Sequence, residues 1–149
     1  MTKFIQATLI AFLSLSVFSE ESYPEPQGSA LEIFQCNFSS GKDLNDTLKV
    51  ASKWDEWADE NYSVPYAGYV MTPFYQRKSD FPYDLFWLGI TPSFQALGTA
   101  QDEWSAKGTK LIAEFDRVSP CPNNATIYAC PVRMAKNTTP TGFLTIRGC

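Results

Sequence analysis

The 149-residue chain contains no histidine. That one absence removes Ser-His-Asp and Cys-His nucleophile activation, His-ligated haem and His-bound zinc or iron from the chemistry open to it. Basic charge is also scarce: 12 Lys and Arg stand against 16 Asp and Glu, for a net charge of −4. Nucleic acid and anionic membrane surfaces need a basic face, so neither suits this chain as a partner. The main apolar run, Phe4 to Leu15, is short and interrupted by Ser14 and Ser16, well below the roughly 20 apolar residues of a membrane-spanning helix. A phosphate loop is missing too: SSGKD at Ser39 to Asp43 resembles the end of one, but the first glycine at the required spacing is absent, and the fragment reads as a strand-to-helix turn. Cysteine is sparse, with four residues and no close pair, which disfavours a zinc site.

What is present begins with an export signal. MTKFIQATLIAFLSLSVFS has Lys3 near its start, an apolar stretch, and Val17 and Ser19 where a signal peptidase cuts. Residues 1–19 are expected to be removed, residues 20–29 (EESYPEPQGS) to form a flexible lead-in, residues 30–134 to form one domain, and residues 135–149 to be a C-terminal extension. Loss of Lys3 leaves 11 basic residues against 16 acidic ones, and the mature protein is expected to be soluble, secreted or periplasmic, with no membrane anchor. Hydrophobic residues at 44% and aromatic residues at 15% suffice for a genuine core. An even number of cysteines in an exported chain points to two disulfides.

Hydrophobic periodicity predicts two β-α-β units. LEIFQCNF reads as a strand, followed by a helix capped near Asp43 whose apolar positions are Leu44, Leu48, Ala51, Trp54 and Ala58. Asp55, Glu56, Asp59 and Glu60 fall on the solvated side. PYAGYVMTPFYQ and YDLFWLGIT read as the second and third strands. Pro92 opens a second helical stretch carrying Phe94, Leu97, Trp104, Leu111, Phe115 and Val118, and Lys107-Gly108-Thr109 divides it in two. ATIYACPVRM is the last core strand, and the segment beyond it could add another.

The resulting order, β-α-β-β-α-β, resembles the ferredoxin-like α+β sandwiches and, among them, the dimeric α/β-barrel superfamily. The likeness covers about residues 31 to 132 and rests on topology. The strings CNFSSGKDL, MTPFY and WLGITPSFQALGTAQDEW are similar to small exported proteins of this build without an assigned function. The resemblance implies an antiparallel four-stranded sheet with two helices on one face. It also implies a homodimer in which two sheets enclose a pocket for a small aromatic compound, a haem or nothing. In such a sandwich the first strand lies beside the last, antiparallel, so Cys36 is expected to pair with Cys121, leaving Cys130 to Cys149.

No residue earns a catalytic role at this stage, and no cofactor or metal is implied. Glu32 and Asp84 are the acids within or beside the central strands; Asp84 reads as a turn end and Glu32 as an edge residue. Alternation on the first strand puts Ile33, Gln35 and Asn37 on one face and Phe34, Cys36 and Phe38 on the other. The sheet face turned away from the helices is expected to expose Tyr69, Met71, Phe74 and Trp87, too apolar to remain bare. Candidate binding residues are therefore Tyr69 and Trp87, with Asn37 and Thr72 as polar groups at strand ends. Trp87 also reads as ordinary core, like Trp54, Trp57 and Trp104, and Asn37 and Thr72 also read as loop caps. Asn37, Asn45, Asn61, Asn124 and Asn137 lie in N-x-S/T sequons, which carry meaning only in a eukaryotic secretory pathway. The leading expectation is an exported domain that binds a small apolar or aromatic molecule or a protein partner. The alternatives are a cofactor-independent monooxygenase or isomerase and a purely structural module.

Overall fold

Alternation decides the first element. Along β1 (Ser29–Cys36), Ala30, Glu32 and Cys36 are buried and their neighbours only half covered, the period-two signature of a strand packed on one face. The computed structural model describes residues 28–131 apart from 75, 76 and 78. The expected signal segment, most of the lead-in, the C-terminal extension, Asn137 and Cys149 lie outside the described residues.

After β1 the chain forms α1 (Leu44–Asn61), β2 (Ala67–Met71), β3 (Leu85–Thr91), α2 (Phe94–Lys107), α3 (Thr109–Val118) and β4 (Asn123–Ala129). The four strands make one sheet in the order β2-β3-β1-β4, every pair antiparallel. This is the ferredoxin-like arrangement, with its second helix divided at Gly108, which ends α2 and begins α3. Asp43 caps α1 by accepting from the Asp46 N–H at 3.1 Å, and Ser93 caps α2 by accepting from Ala96 at 3.1 Å. β1 begins two residues earlier than LEIFQCNF implies, and β2, β3 and β4 are shorter than or shifted from the segments read in the sequence.

The helices share one face of the sheet. Val50 and Trp54 of α1 meet Leu111 and Val118 of α3 in the core cluster, with Trp87 of β3 packed against it. Leu85, at 1% exposure, shows the scale of the driving force: full burial of such a side chain is worth about 1.5–3 kcal/mol. Two apolar positions depart from expectation. The buried side of α1 is Thr47, Val50 and Trp54, and Leu48 is 44% exposed. Phe94 is also exposed, with its ring beside that of Tyr128 at 5.6 Å.

The end of β1 is fastened from three sides. Cys36 and Cys121 form a disulfide across 85 residues, as the neighbouring of first and last strands requires; closing such a loop contributes about 2–5 kcal/mol. Asn37 N–H donates to the Pro120 carbonyl and Ser39 N–H to that of Val118. Asp84 N–H donates to the Cys36 carbonyl, while its carboxylate accepts from Phe38 N–H at 3.0 Å. Asp84 is thus the turn clamp that the sequence suggests. Cys130 is exposed just after β4. No helix among the described residues is long and apolar enough to cross a membrane.

Candidate functional site

Register assigns the two faces of the sheet. Phe34 pairs with Trp87, Glu32 with Gly89, Cys36 with Leu85, and Val70 with Trp87, so these residues look towards the helices. Leu31, Ile33, Tyr69, Met71, Phe86, Leu88, Ile90 and Ile127 look the other way. Trp87 therefore does not join Tyr69 and Met71 on one surface; a strand places consecutive residues on opposite sides, and Trp87 lies opposite Val70.

Between the helix-side face and the helices lies a cleft of about 530 Å³. β1 and β3 supply Glu32, Phe34 and Trp87 to its wall, α1 supplies Trp54, α2 Trp104, and α3 Phe115. Ser105, Asp116 and Asn124 line it and are solvent-exposed, which marks the rim. The cleft combines aromatic walls with a few polar groups, the composition of a small-molecule site.

Glu32 is the polar centre of this wall. It is 6% exposed and stands on an interior strand between β3 and β4, not at an edge. Leaving a carboxylate this deep without partners would be expensive. Tyr66 Oη donates to Glu32 Oε1 at 2.5 Å, and Gln101 Nε2 donates to Oε2 at 2.8 Å. Trp87 Nε1 donates in turn to Tyr66 Oη at 3.1 Å. All three donors are neutral; among the described residues, no ion pair reaches Glu32 and no Lys or Arg lines the cleft.

Aromatic rings hold the network in place. Trp54 meets Trp87 edge-on at 4.7 Å and Tyr66 at 5.6 Å, and Trp87 meets Phe115 at 5.8 Å, within the favoured range for T-shaped pairs. A cross-strand pair of glycines, Gly68 and Gly89, provides the flat bed beneath them. A Cβ on Gly89 would lie 2.6 Å from Tyr66 Cζ and 2.8 Å from Glu32 Cγ, and one on Gly68 would lie 2.7 Å from Trp87 Cζ2. Burial, reinforced by the Glu32 charge, pushes the Tyr66 hydroxyl well above the ordinary phenol range. Burial likewise pushes Tyr62 up to about 12, with the charges of Glu32 and Glu103 adding to it and a Trp54 hydrogen bond opposing.

A second groove of about 500 Å³ runs along α1 and β2, on the far side of Tyr62 and Tyr66, with Asp55 and Asp59 in its wall. Of the four candidate binding residues, Trp87 lines the main cleft and Tyr69 borders this groove. Asn37 is half-buried in the β1–α1 loop and Thr72 is exposed after β2; neither borders the cleft or the groove. Sequence reasoning missed Tyr66, Gln101 and the two glycines. The available signal was phase: Glu32 shares the side of Phe34 and Cys36 on β1.

No protein-family model matches the sequence, and no curated protein matches it. Among solved structures the chain is similar to an Arabidopsis thaliana protein, at 8% identity over 72% of this chain and 98% of that one, with a TM-score of 0.49. It is also similar to a dimeric ferredoxin-like protein of unknown function from Thermobifida fusca, at 9% identity over 74% and 96% of the two chains, with a TM-score of 0.46. By its own strand order and helix placement, the chain is a ferredoxin-like α+β sandwich.

Proposed function

We propose that this is an exported binding domain that holds a small aromatic molecule in the helix-side cleft. The observation that carries the reading is the cleft itself: seven indole, phenol and phenyl rings line it around one hydrogen-bonded carboxylate. Export rests on the N-terminal segment, and the Cys36–Cys121 disulfide belongs to an oxidising compartment. The domain works as a homodimer through its outer sheet face, where Tyr69 is 52% and Ile127 44% exposed beside Ile33, Met71 and Ile90, an apolar surface that water covers poorly.

The buried carboxylate also favours a second reading, a cofactor-independent enzyme with Glu32 as general base. Binding is preferred because both Glu32 oxygens already accept hydrogen bonds, which suits a fixed electrostatic anchor better than a group that must take up a proton. The test is titration with naphthol, followed by tryptophan fluorescence, in the wild type and in Asn124→Trp, which places an indole at the rim. Saturable quenching in the wild type that weakens in the variant supports the cleft; quenching unchanged by the variant, or none, counts against it.

A further inference from the structure

We infer that the molecule held in the cleft is a small organic cation, a protonated amine on an aromatic or apolar body, anchored by Glu32. This inference rests on the cleft being the binding site and adds the charge class of its ligand.

Three observations converge on it. First, the Glu32 carboxyl is 6% exposed and its hydrogen-bond donors, Tyr66 and Gln101, are both neutral. A carboxylate offers about four acceptor positions, and Tyr66 and Gln101 occupy two. The remainder suits N–H donors from a ligand. Secondly, the other acid in the wall is Asp116 at the rim, and no basic side chain among the described residues lines the cleft. The charge that this lining can carry is therefore negative, and low-dielectric aromatic walls focus such a charge. Thirdly, the walls themselves favour a cation. Trp54, Trp87 and Trp104 supply indole rings, whose faces attract ammonium groups more strongly than other aromatic side chains do. A neutral aromatic ligand would use these walls but leave the buried carboxyl without a cationic partner; an anionic ligand would meet two acids and no basic group.

Calorimetry on the whole mature protein with three molecules of nearly equal shape tests this: phenethylamine, phenethyl alcohol and hydrocinnamate. At neutral pH they are a cation, a neutral molecule and an anion. The expected order is amine, then alcohol, then acid, with the amine at least about tenfold tighter than the alcohol. In Glu32→Gln the preference for the amine should collapse to near parity, while Asp116→Asn, at the exposed rim, should keep most of it. Amine and alcohol binding equally, both weakened by Asn124→Trp, would overturn the cation assignment and leave the cleft as a site for neutral ligands. Binding of none of the three would overturn both. A preference that survives Glu32→Gln, or vanishes in Asp116→Asn, would also overturn the role of Glu32. Should Glu32→Gln fail to fold, the wild-type order of the three probes still decides the ligand's charge.

Discussion

Glu32 draws its position from neighbours that are far away in sequence: Tyr66 lies 34 residues on and Gln101 lies 69 on. Alternation on β1 could tell which side Glu32 faces, but not that β1 is an interior strand lying under α2. The donors were therefore invisible until the topology brought them together. Gly89 was equally silent, because its importance is the absence of a Cβ beneath Tyr66. Gly89→Ala should displace the Tyr66 ring and destabilise the fold by about 1–3 kcal/mol, read as a lower urea midpoint, and should weaken cleft binding as well. The tyrosines make a second prediction. Unfolded tyrosine loses its proton near pH 10, whereas Tyr62 in the fold holds it to about 12 and Tyr66 is raised as well. Above pH 10 the folded state binds more protons than the unfolded one, so the stability contributed by these groups is intact below that pH and falls as pH rises towards 12. Urea midpoints should decline from about pH 10, before the buried tyrosines of the folded protein show tyrosinate absorbance nearer pH 12. Tyr66→Phe should shallow that decline.

Elements were more legible than residues, because caps and period are local. Asp43 stands where α1 begins, the start read at Pro92 falls just before the observed cap Ser93 of α2, and Gly108 divides the second helical stretch as its neighbours suggest. Ser93→Ala should cost about 1 kcal/mol in chemical denaturation through loss of the bond to Ala96 N–H; no loss would mean that the cap is redundant. The error in α1 has a physical cause. The stripe read as Leu44, Leu48, Ala51, Trp54 and Ala58 overlaps one through Thr47, Val50 and Trp54, and of the first stripe's members Trp54 and Ala58 do meet the core. The second is buried although it includes a threonine, because α3 presents Leu111 and Val118 on that side. Packing partners choose between stripes, and helical period alone does not name them. The same holds for Trp87: the period of two was clear, but which face meets the helices depends on α1 delivering Trp54.

At the scale of the molecule, the order of elements could be read from the sequence, and the resemblance to ferredoxin-like sandwiches that this order carries implied the strand order and the Cys36–Cys121 pairing. The Cys36–Cys121 bond is a consequence of β1 lying beside β4. The outer sheet face is the other large-scale feature. Ile33, near its middle, pairs with Leu88 and Ala125. Ile33→Asp should convert a homodimer into a monomer in sedimentation at high micromolar concentration; a wild type that is already monomeric there would remove the dimer from the proposal. The helix-side cleft does not depend on that outcome, since all its described walls come from one chain. Binding of an organic cation in the helix-side cleft is tested most directly by two-dimensional NMR of the indole and backbone N–H signals during titration with phenethylamine. The Trp87, Trp54 and Trp104 indole signals should move together and saturate, while the backbone signals of Tyr69 and Ile127 on the outer face stay in place. Movement confined to the outer face, with the three indoles unchanged, would contradict it.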